Sequence, residues 1–251
     1  MTTSVLKMQH TSLQYSDSRD QQFEDVEKLF AKGKAFPIKT GTESGPEATN
    51  HNLDALQKFA KEYNHVLHAA YGNWIAVDRK IIKSGTVKKG KVFVASNDEI
   101  VGRMHDRVFP TLEFDHEDPR LGHIAQAAAH YPTKGARPSD PNYDINKKYA
   151  ARLQNWMQRA SRGTRLAFVN GDFNMNDILL DWAFDGHFTS MADELNAHAN
   201  TGHGPIDGFC SYDKDGRVKA KTFNVLDDSE LHMHTDHFVC RGTWTVRHLK
   251  V

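Results

Sequence analysis

A junction in the last third of the chain carries residue types suited to phosphate chemistry. The apolar run Arg165-Leu166-Ala167-Phe168-Val169 predicts a buried strand that leads into Asn170-Gly171-Asp172-Phe173-Asn174. Asp172 and Asn174 are two residues apart, so on an extended segment they point to the same side. A carboxylate and a carboxamide that face one point can hold a water molecule and hydrogen-bond a phosphoryl oxygen. The tetrapeptide is equally typical of an Asx-rich turn before a helix, so further residues must decide.

A second group of reactive residues is the run His232-Met233-His234-Thr235-Asp236-His237, which has two interpretations. As His-x-His-x-Asp-His it matches the signature of the metallo-β-lactamase-like hydrolases, whose alternate histidines bind zinc. Those hydrolases need further ligands well downstream, and too few residues follow His237 to supply them. As Thr-Asp-His opening a last strand, the run offers a carboxylate for a divalent cation and an imidazole for a phosphate.

Periodic apolar residues predict the elements that must position these groups. Leu53, Leu56, Ala60 and Tyr63 recur at helical spacing, which predicts a helix over residues 51–63. A second amphipathic helix is predicted over residues 145–160, and a third begins at Asn176 or Asp177. β-branched and aromatic residues predict strands over residues 5–15, 66–82, 205–212, 218–226 and 237–250. Without a repeat or a long linker, residues 1–251 are expected to form one domain.

Two basic stretches are candidates for contact with a polyanion. One face of the second predicted helix carries Lys147, Lys148, Arg152, Arg159 and Arg162, and we interpret it as a solvated outer face. A second run surrounds the turn Ser84-Gly85 and predicts an exposed hairpin, the better candidate for gripping phosphates. Its members are Arg79, Lys80, Lys83, Lys88, Lys89 and Lys91.

Composition limits the classes of protein. The 251 residues include 32 Lys+Arg and 32 Asp+Glu, so the formal net charge is zero and only local charge can hold a polyanion. A hydrophobic content of 39% excludes a disordered tail protein. We expect an intracellular protein because the first residues lack the pattern of a signal peptide and no apolar run has membrane-spanning length. Cys210 and Cys240 lie in apolar runs and are expected to be reduced core residues.

The order of the polar motifs resembles the endonuclease/exonuclease/phosphatase superfamily. After a polar first strand, the matching segments are Thr42-Glu43, Ala129-His130-Tyr131-Pro132, Gly171-Asp172-Phe173-Asn174, Pro205-Ile206-Asp207-Gly208-Phe209 and Thr235-Asp236-His237. The resemblance spans nearly the whole chain. It implies the deoxyribonuclease I-like fold, an α/β (α+β) four-layer sandwich of two packed, mostly antiparallel β-sheets flanked by helices.

The resemblance also implies roles for these residues. Glu43 and Asp236 would bind the catalytic cation, and oxygen ligands suit Mg²⁺ or Mn²⁺. Asp172 would position or deprotonate the attacking water, and Asn174 would fix that water and the phosphate. His237, oriented by Asp207, would donate to a non-bridging oxygen. His130 would be the second imidazole, which stabilises the transition state or protonates the leaving oxygen.

The sequence departs from the family pattern at several positions. Ser12 stands where the family usually has an Asn that helps to hold the metal site, and a hydroxyl is a shorter and weaker ligand. Thr42 replaces a Gln, and Thr235 replaces a Ser while keeping the hydroxyl. Relatives often place a substrate-contacting Tyr or Arg after the strand Trp74–Val77, where Arg79 is a candidate phosphate clamp.

These observations favour a monomeric, metal-dependent phosphodiesterase without membrane contact. Nucleic acid is the expected substrate, so the protein would be a nuclease cleaving DNA or RNA by in-line attack of an activated water. The alternatives are a phosphatase of small phosphoesters or inositol lipids, a zinc hydrolase using His232, His234 and His237, and a binding module in which Ser12 marks lost catalysis.

Overall fold

Two β-sheets packed face to face form the centre of the protein. The computed structural model describes residues 2–13, 18–42, 52–101, 106–174, 188–195, 207–213, 215–226 and 239–249, with Ser12, Phe188, Ala192, Asp193 and Asp207 described by their backbones only. Within these residues each of the two sheets has six strands, and buried side chains fill the space between them. Helices cover the outer face of each sheet, which gives four layers.

The first sheet combines strands from both ends of the chain. It contains β1 (Thr3–Ser12), β2 (Ile38–Thr42), β3 (His65–Ala70), β4 (Asn73–Asp78), β11 (Val218–Leu226) and β12 (Val239–Arg247). Their order is β11-β12-β1-β2-β4-β3, in which only the β1–β2 pair is parallel.

The second sheet is built from the middle of the chain. It contains β5 (Lys88–Ala95), β6 (Arg107–Asp115), β7 (His123–His130), β8 (Leu166–Asp172), β9 (Phe188–Ser190) and β10 (Asp207–Tyr212). Their order is β5-β6-β7-β8-β10-β9, in which only the β7–β8 pair is parallel. Each sheet therefore has two strands whose carboxyl ends meet at one edge.

In the part of the chain that the structure describes, three helices lie on the outer faces of the sheets. The helices α1 (Arg19–Lys32) and α2 (Asn52–Glu62) pack on the first sheet, and α3 (Tyr143–Ala160) packs on the second. Ser18 caps α1, because its Oγ accepts a hydrogen bond of 3.2 Å from the Gln21 amide. Shorter helical turns are Arg79–Ile81, Asn97–Glu99 and Met191–Glu194. None of the helices in the described part of the chain is long and apolar enough to cross a membrane.

The predicted sandwich of two sheets flanked by helices is confirmed. The helices predicted over residues 51–63 and 145–160 are present as α2 and α3, while the helix predicted after Asp177 lies outside the described residues. Cys210 and Cys240 are reduced and buried, as expected. The division into domains stays a prediction.

Two predictions about local structure were wrong. Residues 66–82 form two strands, because Tyr71 and Gly72 turn the chain at φ 49° and 81° between β3 and β4. The basic run does not form a hairpin around Ser84-Gly85. Its strand β5 pairs with the later strand β6, so the long-range pairing prevails over the local turn signal. The helix α1 was not predicted.

Candidate active site

The carboxyl ends of the parallel strands place the polar motifs at one edge of each sheet. In the first sheet Ser12 and Thr42 are paired at the ends of β1 and β2, and Glu43 follows Thr42 in the sequence. In the second sheet His130 and Asp172 are paired at the ends of β7 and β8. Asp207, the first residue of β10, is paired with Asp172 from the other side.

A buried hydrogen bond shows that these two edges lie on the same side of the sandwich. Asn170 Nδ2 donates to Thr40 Oγ1 over 3.1 Å, and neither residue is exposed. His10 Nδ1 lies 3.0 Å from the same hydroxyl oxygen. Thr40 and Asn170 each stand two residues before the end of their strand, so the ends of β2 and β8 are close to each other. The structure thus brings together the edges that carry the predicted motifs.

Gly171 allows β7 and β8 to approach closely beside the site. A Cβ atom at this position would lie 2.3 Å from the carbonyl oxygen of Ala129 and 3.0 Å from its carbonyl carbon. Both atoms belong to the backbone of the neighbouring strand and cannot rotate away. The glycine of the Gly-Asp-Phe-Asn motif is therefore needed for strand packing.

His130 lies between an arginine and a carboxylate. Arg107 Nη1 is 3.3 Å from His130 Nδ1, and His130 Nε2 is 3.7 Å from Asp172 Oδ2. A guanidinium group only donates hydrogen bonds, so Nδ1 acts as the acceptor and the proton of the neutral imidazole resides on Nε2. That N–H lies on the side of the Asp172 carboxylate. The Asp172 side chain is only 1% exposed, which makes its charge effective over short distances.

Asn174 fixes the ends of β7 and β8 relative to each other. Its backbone N–H donates to Asp172 Oδ1 over 2.9 Å, and its Nδ2 donates to the Tyr131 carbonyl oxygen over 2.7 Å. The residue has a φ of 48°, a left-handed conformation that asparagine tolerates. The sequence left two alternatives for this tetrapeptide, an Asx turn and a functional cluster. In the structure the Asx turn is present, and its hydrogen bond orients the Asp172 carboxylate.

Two tyrosines form an uncharged floor beneath His130. The Tyr149 hydroxyl accepts a hydrogen bond of 3.2 Å from the His130 amide, and the rings of Tyr149 and Tyr131 lie 4.2 Å apart. Burial raises the pKa of both phenols well above the ordinary value, so both stay protonated. Sequence reasoning assigned no role to Tyr149 or Arg107. Tyr149 gave only the signal of a core residue in α3, and Arg107 gave none.

The structure separates one predicted site residue from the others. Because β4 is antiparallel to β2, it begins at the site edge and runs away from it. Arg79 follows the last residue of β4, roughly 20 Å along the strand from that edge at about 3.3 Å per residue. Arg79 therefore does not join the cluster, which corrects the expected phosphate clamp. Glu43, Asp236 and His237 lie outside the described residues, as do His232 and His234 of the zinc alternative.

The oxygen donors of the sequence fit a hard divalent cation, although the predicted ligands Glu43 and Asp236 are not described. Among the described residues, no group of three or more His, Cys, Asp or Glu side chains is arranged to hold a metal ion. Asp172 contributes one buried carboxylate at the edge of the second sheet. The metal site stays a prediction.

Comparison with known proteins identifies the fold. No family model and no curated protein matches the sequence. An endonuclease/exonuclease/phosphatase family protein from Bacteroides thetaiotaomicron has a TM-score of 0.72 and 16% identity, over 98% of this chain and 99% of that one. The chain has the endonuclease/exonuclease/phosphatase fold. This confirms the fold that the order of the motifs implied.

Two further solved structures share this fold. The mannosyl-6-phosphatase of the same bacterium has a TM-score of 0.71 and 15% identity, over 95% of this chain and 99% of that one. TDP2 of D. rerio has a TM-score of 0.66 and 11% identity, over 96% of this chain and 99% of that one. At such identities the likeness concerns the fold, and the chemistry depends on the site.

Proposed function

We propose that the chain is a divalent-metal-dependent phosphodiesterase whose preferred substrate is nucleic acid, that is, a nuclease. The observation that carries the proposal is the juxtaposition of His130 and Asp172 at an edge that lies close to the end of β2. Two structures with this fold support the class of reaction. One is the endonuclease/exonuclease/phosphatase family protein from Bacteroides thetaiotaomicron, and the other, TDP2 of D. rerio, was solved with a single-strand DNA product.

Hydrolysis of a phosphodiester needs a site that neutralises the phosphate while it activates a water molecule. A cation held by Glu43 and Asp236 would supply the positive charge and the acidity of bound water. The described residues supply the proton chemistry. Asp172, held by the Asn174 amide, would orient the water and accept its proton. The Nε2–H of His130, fixed in that tautomer by Arg107, would donate to a phosphate oxygen.

The second candidate function is a phosphatase of small phosphomonoesters. It is favoured by one observation, the similarity of the fold to the mannosyl-6-phosphatase. His130 and Asp172 would take part in either reaction, so the two functions would differ in the residues that surround these two and bind the rest of the substrate. The agreement in fold favours both over the zinc hydrolase, which depends on a different family.

The test compares substrates and variants in Mg²⁺, Mn²⁺ and EDTA. Single-stranded and duplex DNA, RNA and mannose 6-phosphate are incubated with the wild type, Asp172→Asn and His130→Gln. We expect cleavage of nucleic acid that EDTA abolishes, and a loss of about 100-fold or more in each variant. Glu62→Gln is the matched control, because this carboxylate at the end of α2 is 51% exposed and lies next to the start of β3, where His65 is paired with Asp78 at the end of β4 away from the site edge.

The outcomes separate the candidate functions. Wild-type rates in both site variants would show that the site is misassigned. Cleavage of mannose 6-phosphate alone would exclude the nuclease and favour the second candidate. Inactivity of the wild type on every substrate with either metal would refute the enzymatic proposal. Circular dichroism of each variant verifies that the fold is intact.

A further inference from the structure

The edge strand β5 exposes an unusual combination of side chains. Lys89, Lys91 and Phe93 alternate with residues that face α3, and all three are exposed, Phe93 by 53%. The strand contains no acidic residue. Consecutive exposed positions on one side of a strand are roughly 6.6 Å apart. A large aromatic ring in water beside two lysines on an edge strand indicates a contact surface.

These side chains belong to the same face of the second sheet as the candidate active site. Lys89 is paired with Leu112, which is fully buried between the two sheets. On β7, Ala128 also lies between the sheets, so His130, two residues later, shares that face. Lys89, Lys91 and Phe93 are therefore on the face that carries His130, and their exposure shows that the first sheet leaves them uncovered.

The direction of β5 leads toward the site. Its last residue, Ala95, is paired with Arg107, whose guanidinium contacts His130. Phe93 is paired with Val108, next to Arg107, so it is the exposed residue nearest the edge. Lys91 and Lys89 follow at increasing distance. The acidic stretch Glu113–Asp118 begins opposite Lys88, at the other end of the strand.

Residues of the first sheet lie beside the exposed side chains of β5. His68 Nε2 on β3 donates to the Gly90 carbonyl oxygen over 2.7 Å, which holds β3 against β5. Burial lowers the pKa of His68, and the charges of Lys89 and Lys91 lower it further, so the imidazole is neutral. Tyr71, in the turn after β3, is 47% exposed, and its ring centroid lies 5.7 Å from Lys91 Nζ. Lys91 thus lies near the exposed ring of Tyr71, and Phe93 is the next residue on its side of the strand.

We infer that this strip, formed by Lys89, Lys91, Phe93 and Tyr71, binds single-stranded nucleic acid and guides it to the His130–Asp172 edge. Lysines in a row attract the phosphates, and exposed rings stack on unpaired bases, which a duplex keeps covered. This inference specifies how the proposed nuclease would bind its substrate. It rests on the proposed function only in that the bound strand would then be cleaved. Binding itself is independent of turnover.

The test measures binding in EDTA, where turnover is prevented. Fluorescence anisotropy of labelled single-stranded DNA, single-stranded RNA and duplex DNA is recorded with the full chain over a range of salt concentrations. We expect at least one single strand to bind more tightly than the duplex. Phe93→Ala should weaken that binding about tenfold, the effect of losing one stacked base. Lys89→Gln with Lys91→Gln should reduce the slope of log affinity against log salt by about 1.4.

The control places the same charge change elsewhere. Lys147→Gln with Arg152→Gln alters two exposed residues on α3, which covers the opposite face of the second sheet, and should leave affinity and salt slope unchanged. An effect of this control equal to that of the β5 variant would overturn the inference, as would unchanged binding in Phe93→Ala. A dimer in solution that Phe93→Ala converts to monomer would also overturn it, because the strip would then be a contact between copies. Hydrolysis assays are separate, so an inactive protein that still binds single strands would refute only the proposed function.

Discussion

Replacing Gly171 with alanine should damage both stability and the candidate site. A Cβ at 2.3 Å from the Ala129 carbonyl oxygen is roughly 1 Å closer than a normal contact, so β7 and β8 must separate. Such overpacking costs about 1–3 kcal/mol, and the lower entropy of the unfolded alanine variant returns up to about 1 kcal/mol. We expect a net loss of about 1–2 kcal/mol in the free energy of unfolding. For a protein of this size, Tm should fall by about 2–8 °C.

Gly208 provides a control at the same level of the sheet. It is paired with Gly171 across β8 and β10, but a Cβ there would meet only ring carbons of Phe173, at 3.5 and 3.8 Å. Neither glycine has a positive φ, so the two substitutions differ in available space. Gly208→Ala should be neutral or stabilise the fold by up to about 1 kcal/mol.

The assay is urea unfolding followed by circular dichroism, together with hydrolysis of the substrate identified for the wild type. Because His130 and Asp172 directly follow Ala129 and Gly171, a shift of the strands should reduce activity by about 10- to 100-fold in Gly171→Ala. Equal stability of the Gly171→Ala and Gly208→Ala variants would refute the packing argument. Full activity in an unstable Gly171→Ala variant would show that the site tolerates the shift.

Two further predictions concern the framework around the site. Burial and the charge of Lys39 lower the pKa of His65 to about 4. The unfolded chain then binds a proton that the folded chain does not between about pH 6.5 and pH 4, so stability falls as the pH is lowered through this range. His65→Gln should flatten that dependence in urea midpoints measured at pH 7.5 and pH 5, and an unchanged slope would contradict the assignment. A double-mutant cycle of Asn170→Ala and Thr40→Ala should give a coupling of about 0.5–1.5 kcal/mol, since the two side chains are hydrogen-bonded across the sheets. Additive effects on unfolding would show that this bond does not tie the edges together.

The sequence determined the features that depend on neighbouring residues. Helical spacing of apolar residues located α2 and α3, and the apolar run before Asn170 located β8 with its polar end. The order of the short motifs was sufficient to indicate the fold. The helix and strand signals are local, because the periods of helices and strands are expressed within a few residues of sequence, whereas the motif order acts through its resemblance to a known family.

Pairing between strands was decided only by the tertiary structure. From the sequence alone, Arg107 has no evident partner, and it contacts His130 because β6 and β7 are neighbouring strands. The sequence also suggested Arg79 as a site residue, but the antiparallel strand β4 carries Arg79 away from the site edge. The exposed row on β5 likewise arises from the register with β6. Side chains far apart in sequence meet because two apolar faces must be buried together, and many strand orders satisfy the same local pattern. The packing of the two sheets selects one of those orders and thereby creates the edge where His130 and Asp172 lie.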